Sequence, residues 1–446
     1  MTRFLAWLAI LILLVALGAG GFIGWYQFEN QPPEIKPVHI PNALGLKSSI
    51  AVEVTENRTG IKSVKGEIIQ GGRVVPLPSK QYHVYPFWER KGIKHARVSW
   101  NIEPSSLGLT DGKAVIRIIA SDASWRNGFQ GNQAVLEIKI PVDITPPSIA
   151  IKSTVHNIRM GGAGLISYAL NEKPSRTGVR VGKVLFPAYE FNSRGASSYI
   201  ALIALPFDTK DPGGIMIEAE DLAGNLSKAS VAYTVLRRRP RVDRINITDS
   251  FLRRKMPDLS IHYPEVKGSL IEQFLIINNK IREENNQQLA ALCRNGEPTM
   301  LWHGSFVRMP GALRARFADF RHYFYKGKEV DQAYHMGVDI ADRAHSPVPA
   351  GNRGKVVFTG FLGIYGNTVV IDHGIGLFST YSHLSQINVK RGDMVERGQT
   401  IGLTGFTGLA GGDHLHYAMM VNGVFVNPVE WWDMKWIRDH ILANLD

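Results

Sequence analysis

The sequence of 446 residues contains a single cysteine, Cys293. One thiol cannot form an internal disulfide or a zinc site of several thiolates, so any metal must be held by histidine and carboxylate side chains. The motif His-Glu-x-x-His is also absent, which excludes a zinc peptidase whose site lies on a helix. A hydrophobic share of 44% and a charged share of 20% exclude a disordered, collagen-like or polytopic membrane protein.

Positive charge is present in excess. The 51 Lys and Arg residues against 39 Asp and Glu residues give a formal net charge of +12. This balance favours contact with an anionic partner. Nucleic acid, anionic lipid and an anionic cell-wall polymer all satisfy it, and charge alone does not separate them.

The N-terminal segment is strongly apolar, with no charged residue from Phe4 to Tyr26. As a helix this segment would span a hydrocarbon core of about 30 Å. The length of the run favours an uncleaved transmembrane anchor over 1–30, and a cleaved signal peptide is the alternative. Arg3 precedes the run, so we expect the rest of the chain outside the cytoplasm, in the cell envelope. Membrane is then a partner, nucleic acid is not, and an envelope polymer is the leading anionic candidate.

Short alternating strands separated by Gly, Pro, Asn and Asp predict β-sandwiches between about 30 and 240. An internal repeat supports two copies of one unit, with 116–122 (IRIIASD) recurring as 215–221 (IMIEAED). The sequence thus predicts β domains over 31–145 and 146–240, and unrelated β spacers are the alternative. The Asp-Leu-Ala-Gly-Asn turn at 221–225 resembles turns of bacterial immunoglobulin-like envelope domains.

A different pattern follows, which predicts a hinge and an amphipathic helix over 241–299. Arg237 to Arg244 are interpreted as a charged linker, because a nucleic-acid site would require interleaved aromatic residues. Leu270, Phe274 and Ile277 lie at helical spacing and predict a helix over about 268–293. We hypothesise that this segment can hold a neighbouring groove closed.

Nine of the fourteen histidines lie between His303 and His440. His335 and Asp339 are four residues apart and can present two ligands to one ion. His414 and His416 share one face of a predicted strand, which continues into a hairpin with an Asn-Gly turn. Two histidines and one carboxylate would leave a fourth position for water, as in catalytic rather than structural zinc sites.

Two further motifs complete the pattern: Tyr381-Ser382-His383-Leu384, and the glycine-punctuated run 389–408. The ordered set resembles the lysostaphin-type (LytM-like, glycyl-glycine endopeptidase) zinc peptidases of peptidoglycan over about 300–432. The resemblance implies an antiparallel β domain over 300–446 and hence a mainly β, multidomain chain. It also implies one zinc ion per chain, whose ligands would be His335, Asp339 and His416. The unligated catalytic histidines would be His383 and His414, with the general base left open between them.

The resemblance implies a zinc-dependent endopeptidase that cleaves peptide cross-links and recognises peptidoglycan peptide stems. A non-catalytic envelope module that activates another hydrolase is the alternative, although such members typically lack ligands. A regulatory envelope protein is a possible further partner. Ala418 and the insert 322–328 depart from the family pattern, and we expect His345 and His373 to be surface residues.

Overall fold

The computed structural model describes residues 2–86, 88–89, 91–153, 156–193, 196–209, 213–237 and 239–445. The chain forms two compact units, Met1–Pro147 with Lys173–Ser175 and Glu220–Ser227, and the remainder from Ser148 to Asp446. Strands dominate, as the sequence predicts. Helix α1 (Thr2–Gln27) is long and apolar enough to cross a membrane, a property that signal sequences share.

The first unit contains two antiparallel sheets, β1-β2-β6 and β4-β3-β7-β8, with β5 beside β3. In β6, side chains alternate between exposed and buried, which directs Ala96, Val98, Trp100 and Ile102 into the core between the sheets. The elements are β1 (Glu34–His39), β2 (Ser48–Thr55), β3 (Ile61–Gln70), β4 (Arg73–Pro76), β5 (Lys80–Gln81), β6 (His95–Ile102), β7 (Gly112–Asp122), the short turn α2 (Arg126–Phe129) and β8 (Gln133–Val142).

The repeated IRIIASD and IMIEAED segments both end in a buried aspartate that organises the next turn. Asp122 accepts backbone hydrogen bonds from Ser124 and Asn132 and a side-chain bond from Asn132. Asp221 is bonded in the same way, by the backbone of Ala223 and by the backbone and amide of Asn225. A shared turn of this kind supports two copies of one β unit.

The second β region has sheets β14-β15-β11-β9 and β13-β12-β16-β17, and a parallel pair β10-β18. Buried aliphatic residues of β11 and β15 form much of its core. The strands are β9 (Ile149–Ile151), β10 (His156–Arg159), β11 (Ala163–Leu170), β12 (Arg176–Val181), β13 (Val184–Pro187), β14 (Tyr189–Ser193), β15 (Ala196–Ala204), β16 (Ile215–Glu220), β17 (Leu226–Ser230) and β18 (Tyr233–Leu236).

A connector of one strand and three helices follows: β19 (Val242–Ile247), α3 (Asp249–His262), α4 (Leu270–Ile276) and α5 (Arg282–Leu292), with a π-helical turn at Ile277–Ile281. The predicted helix is present, and its apolar stripe, including Phe274, Ile277 and Leu289, is buried. Residues 242–244, the end of the run 237–244 interpreted from sequence as linker, belong to strand β19 instead, because β19 pairs in parallel with Phe320–Tyr325. Arg238, in the same basic run, lies outside the described residues.

The C-terminal region is built on an eight-stranded sheet, β20-β23-β31-β27-β26-β25-β29, with β32 paired to β31. There are two smaller sheets, β19-β21-β22 and β24-β30-β28, and most of their strands alternate along the chain with those of the large sheet. The elements are β20 (Ala312–Ala315), β21 (Phe320–Tyr325), β22 (Lys328–Tyr334), β23 (Val338–Ala341), β24 (Pro347–Pro349), β25 (Gly354–Phe361), β26 (Asn367–Asp372), β27 (Leu377–Leu384), β28 (Gln386–Ile387), β29 (Met394–Val395), β30 (Thr400–Leu403), β31 (Leu415–Val421), β32 (Val424–Val426), α6 (Pro428–Trp432) and α7 (Met434–His440).

The predicted Asn-Gly hairpin joins β31 to β32. Asn422 and Gly423 have φ values of 47° and 83°, the left-handed conformation that a two-residue turn of type I′ requires at both positions. The turn fixes the register of β31, which begins immediately after His414. A short-range signal in the sequence therefore positions the strand that carries His416.

Glu430 in α6 is a buried carboxyl group. Burial raises its pKa to about 8, although the Ala163 amide donates to it at 3.3 Å. The ordinary pKa is about 4.5, so the folded state holds the proton more tightly than the unfolded state, and stability is lost as pH rises from about 4.5 to about 8. We expect Glu430→Gln to remove this loss and to exceed the wild type in stability above pH 8, as measured by urea unfolding at pH 5, 7 and 9. Parallel pH dependence of the two proteins would contradict this, and Glu396→Gln, on the surface, serves as the control.

Candidate metal centre

Adjacent strands bring the predicted ligands together. Asp339 on β23 is the register partner of His416 on β31, so the two side chains are neighbours across the ladder. His335 precedes β23 and is held by backbone hydrogen bonds with Ala318 and Asp319. The four-residue spacing of His335 and Asp339 and the sheet pairing thus direct three side chains to one point.

The three ligand atoms form a compact triangle. His335 Nε2 lies 3.0 Å from Asp339 Oδ1 and 3.0 Å from His416 Nδ1, and His416 Nδ1 lies 2.9 Å from Asp339 Oδ1. All three residues meet the geometric requirement for a shared ion. Tetrahedral ligands bonded at about 2.1 Å are separated by about 3.4 Å, so a small metal ion fits with minor adjustment. We call residues 335, 339 and 416 the metal-binding group, since together they could hold one metal ion.

Neighbouring groups orient the ligands. His335 Nδ1 donates to the Arg316 carbonyl oxygen at 3.0 Å, which leaves Nε2 unprotonated and free to bind metal. Arg321 donates to Asp339 Oδ2 at 2.8 Å, so Oδ1 is the oxygen directed at the two histidines. Among the described residues, His416 Nε2 is buried with no hydrogen-bond partner, whereas its Nδ1 faces the triangle. His335 Nε2, Asp339 Oδ1 and His416 Nδ1 are therefore directed at the same point.

The charge of Asp339 is compensated by its neighbours. Burial alone would raise the pKa of this carboxyl group, but His335 and the hydrogen bonds from His414 and His416 hold it well below the usual range. The carboxylate is therefore ionised at neutral pH, the form that binds a cation.

The other two predicted histidines lie beside the triangle. The ring of His383 is 4.9 Å from the ring of His414 and 5.7 Å from that of His416, centroid to centroid. His414 Nε2 lies 3.5 Å from Asp339 Oδ1. The structure thus brings all five predicted site residues into one cluster. His414 and His416 share one face, as the alternation of side chains along a strand predicts.

Both of these rings are fixed by backbone carbonyl groups. His383 Nδ1 donates to Thr407 at 2.9 Å and His414 Nδ1 donates to Gly412 at 2.8 Å. The Nε2 atom of His383 is consequently available to a ligand, whereas that of His414 faces Asp339. His383 has a φ of 65°, a left-handed backbone that is costly for a non-glycine residue and common at functional sites.

A cavity of about 430 Å³ adjoins the cluster. The metal-binding group and both other histidines line it, together with connector residues such as Phe251, Arg254 and Arg282. The connector is fastened to the loop before His414, because Arg254 donates to the Gly411 carbonyl at 3.0 Å and buried Lys255 donates to that of Phe406. The connector is therefore a wall of the cavity, and the hypothesis that it can close the groove stays a prediction.

Sequence reasoning missed some site residues and misplaced one. Arg321 and Tyr365 line the cavity without having been assigned a role, because neither belongs to a spaced histidine or carboxylate pair. His373, expected at the surface, is buried between the Arg353 carbonyl and the Ser379 hydroxyl, and burial lowers its pKa to about 4. His345 is exposed, as expected.

Gly337, between the first two ligands, was also missed. A Cβ atom there would lie 2.6 Å from the Tyr417 carbonyl oxygen and 2.7 Å from His416 Nε2. We expect Gly337→Ala to displace the His416 ring and weaken metal binding by roughly 10- to 100-fold, as for loss of other supports around a metal site. Metal affinity measured by competition with a chelating dye tests this. Gly411→Ala is the matched control, since nothing lies within 4 Å of its Cβ, and equal affinities for the two variants would contradict the expectation.

Comparison with known proteins finds a family match in this region. Residues 333–428 match Peptidase family M23. The chain is 46% identical over 98 residues to peptidoglycan DD-endopeptidase ShyA of Vibrio cholerae, covering 22% of the chain and 23% of that protein. It is 43% identical over 95 residues to DD-carboxypeptidase/endopeptidase Mpg of Neisseria meningitidis, covering 21% and 22%. The chain thus spans less than a quarter of the length of each relative.

A solved structure, of a putative M23 peptidase from Pseudomonas aeruginosa, is 24% identical with a TM-score of 0.38, covering 60% of this chain and 92% of that one. The segment that matches the family, 333–428, contains His335, Asp339, His383, His414 and His416. The resemblance to peptidoglycan metallopeptidases is confirmed for this segment, and a metal is its cofactor. Residues 333–428 form a domain of Peptidase family M23.

Proposed function

We propose that the protein is a zinc-dependent endopeptidase that hydrolyses peptide cross-links of peptidoglycan. The observation that carries the proposal is the convergence of His335 Nε2, Asp339 Oδ1 and His416 Nδ1 beside a cavity that two further histidines line. Two relatives of the matched segment are named as peptidoglycan DD-endopeptidase and DD-carboxypeptidase/endopeptidase. Both names describe hydrolysis of peptide bonds, which supports the same chemistry here.

The proposed ligands are His335, Asp339 and His416, and the proposed metal is one zinc ion per chain. Two nitrogen donors and one oxygen donor suit zinc, and three protein ligands leave a position for water. Zinc at such a site lowers the pKa of bound water and polarises a carbonyl group. The chain's own task is to hold the ion open to the cavity and to move protons.

Proton transfer is proposed for His383 and His414. Each ring has Nδ1 engaged with a backbone carbonyl, so Nε2 is the atom that can accept a proton from water or donate one to the leaving amine; Nε2 of His414 also lies 3.5 Å from Asp339 Oδ1. In its protonated form, either ring can also stabilise the negative charge that develops on the carbonyl oxygen. The two rings can divide these tasks between them, and the general base is one of the two.

We propose the remaining organisation on the same basis. Residues 1–30 would anchor the chain in the cytoplasmic membrane with the bulk outside, and the β domains over 31–145 and 146–240 would separate the anchor from the wall. Residues 241–299 would connect them to the peptidase domain over 300–446. Peptide stems would be the substrate, and a regulatory envelope protein is a further possible partner.

The function is tested with the full chain in detergent, loaded with zinc and incubated with purified peptidoglycan. We expect new amino groups to appear, and mass spectrometry should show cross-linked fragments converted to uncross-linked stems. His383→Ala is the control for contaminating hydrolases. Zinc binding with no cleavage of any wall preparation would contradict the proposal and favour the non-catalytic module that activates another hydrolase.

A further inference from the structure

The charges that line the cavity are strongly unequal. Its only carboxylate among the described residues is Asp339, which faces the metal-binding group and is paired with Arg321. Two further guanidinium groups, those of Arg254 and Arg282, line the same cavity. A bound metal ion would add more positive charge. The cavity is therefore suited to a ligand that carries negative charge.

Neither Arg254 nor Arg282 has an ion-pair partner among the described residues. Arg254 donates from one terminal nitrogen to the Gly411 carbonyl oxygen at 3.0 Å. Arg282 donates through Nε and one terminal nitrogen to the carbonyl and side-chain oxygens of Asn278. A guanidinium has five N–H donors, so each group retains donors for a further acceptor. Both charges are thus held in place by neutral oxygens and remain uncompensated.

Both arginines belong to the connector, outside the segment 333–428 that matches the peptidase family. They lie on different helices of the connector, Arg254 on α3 and Arg282 at the start of α5. Arg282 is close enough to Tyr365 for its charge to oppose the rise in pKa that burial causes at that hydroxyl. The Tyr365 ring centroid is 5.5 Å from that of His416, so Tyr365 is near both Arg282 and the metal-binding group.

We propose that Arg254 and Arg282 bind a free carboxylate of the peptide substrate and so determine its specificity. Guanidinium groups form paired, charge-assisted hydrogen bonds with carboxylates, and the geometry discriminates against an amide. The inference rests on the proposed function, since it names the substrate class for the same site. It assigns to the connector a role in substrate recognition that the peptidase domain does not supply.

The carboxylate could come from two places in a peptide stem. It could be the C-terminal carboxylate of the stem or the side-chain carboxylate of a diamino acid in the cross-link. Three synthetic stem peptides separate these sources: one with both carboxylates free, one amidated at the C-terminus and one amidated at the diamino acid. The amidated position that lowers kcat/KM identifies the group that is bound.

The full chain, zinc-loaded in detergent, is compared with Arg254→Gln, Arg282→Gln and the double variant. We expect the wild type to prefer the free carboxylate over the amide by roughly 10- to 100-fold in kcat/KM, as for a hydrogen bond between charged groups. This ratio should fall toward 1 in the double variant. Arg253→Gln and Lys280→Gln, exposed cations on the same connector that do not line the cavity, should keep it. Zinc content and thermal unfolding verify that each variant is folded.

Peptide affinity is measured in parallel on the His383→Ala background, so that recognition is tested separately from turnover. A preference in affinity that the double variant loses, without hydrolysis by the parent chain, would support the inference and contradict the proposed function. Hydrolysis with no preference, or a preference that persists in the double variant, would overturn the inference and leave the function standing. A persistent preference would mean that another group, such as the metal, binds the carboxylate. Absence of binding to every peptide would overturn the inference as well.

Discussion

His416→Ala is expected to release the metal and to lower peptidoglycan cleavage by about 10³-fold or more. The substitution removes one of three ligand atoms that lie within about 3 Å of one another, and the remaining pair, His335 and Asp339, binds an ion much more weakly. Metal content after dialysis and release of amino groups from peptidoglycan give the two readouts.

The matched control is His345→Ala, since that histidine lies in the same domain but is exposed. We expect this variant to retain wild-type metal content and activity. Retention of one metal ion per chain by His416→Ala would show that the triangle of 335, 339 and 416 is not the metal site. Loss of metal from both variants would indicate general destabilisation instead.

His383→Ala and His414→Ala are expected to have the opposite pattern, with metal retained and activity lowered by roughly 10²- to 10⁴-fold in kcat. Neither ring contributes to the ligand triangle, yet both lie within 5.7 Å of another site histidine, centroid to centroid. Metal content and kcat are measured together. The pH profile of kcat should lose one limb in each variant, and the limb that is lost identifies which histidine is the base.

Two results would contradict these roles. If His383→Ala or His414→Ala lost the metal, that ring would be a ligand or an essential support rather than a proton carrier. If either variant retained wild-type kcat with an unchanged pH profile, the ring would have no part in proton transfer. His373→Ala is unsuitable as a control here, because its buried ring bonds to Ser379 within the core.

The sequence was informative about the site because its geometry is local to two strands. The extended backbone around β23 directs His335 and Asp339, four residues apart, to one site. The extended backbone around β31 does the same for His414 and His416, which are two residues apart. The Asn422-Gly423 turn and the aspartates at the ends of β7 and β16 were readable for the same reason, since each depends on neighbours in the chain.

Features that depend on contacts between segments far apart in the chain could not be predicted from the sequence. Residues 242–244 end a basic run that predicts a linker, yet they belong to the strand Val242–Ile247, because this strand pairs with Phe320–Tyr325 far along the chain. His373 has the polarity of a turn residue, and only the packed sheet buries it. The position of Arg254 and Arg282 in the cavity wall likewise follows from how the connector packs against the peptidase domain.

The most direct test of the account is a titration of the metal-free full chain with zinc, in which peptidoglycan cleavage is followed by the release of amino groups. The account predicts no cleavage without metal, a linear rise in activity, and saturation at one zinc ion per chain. Full activity in the metal-free chain, or zinc binding at one equivalent with no cleavage, would contradict it.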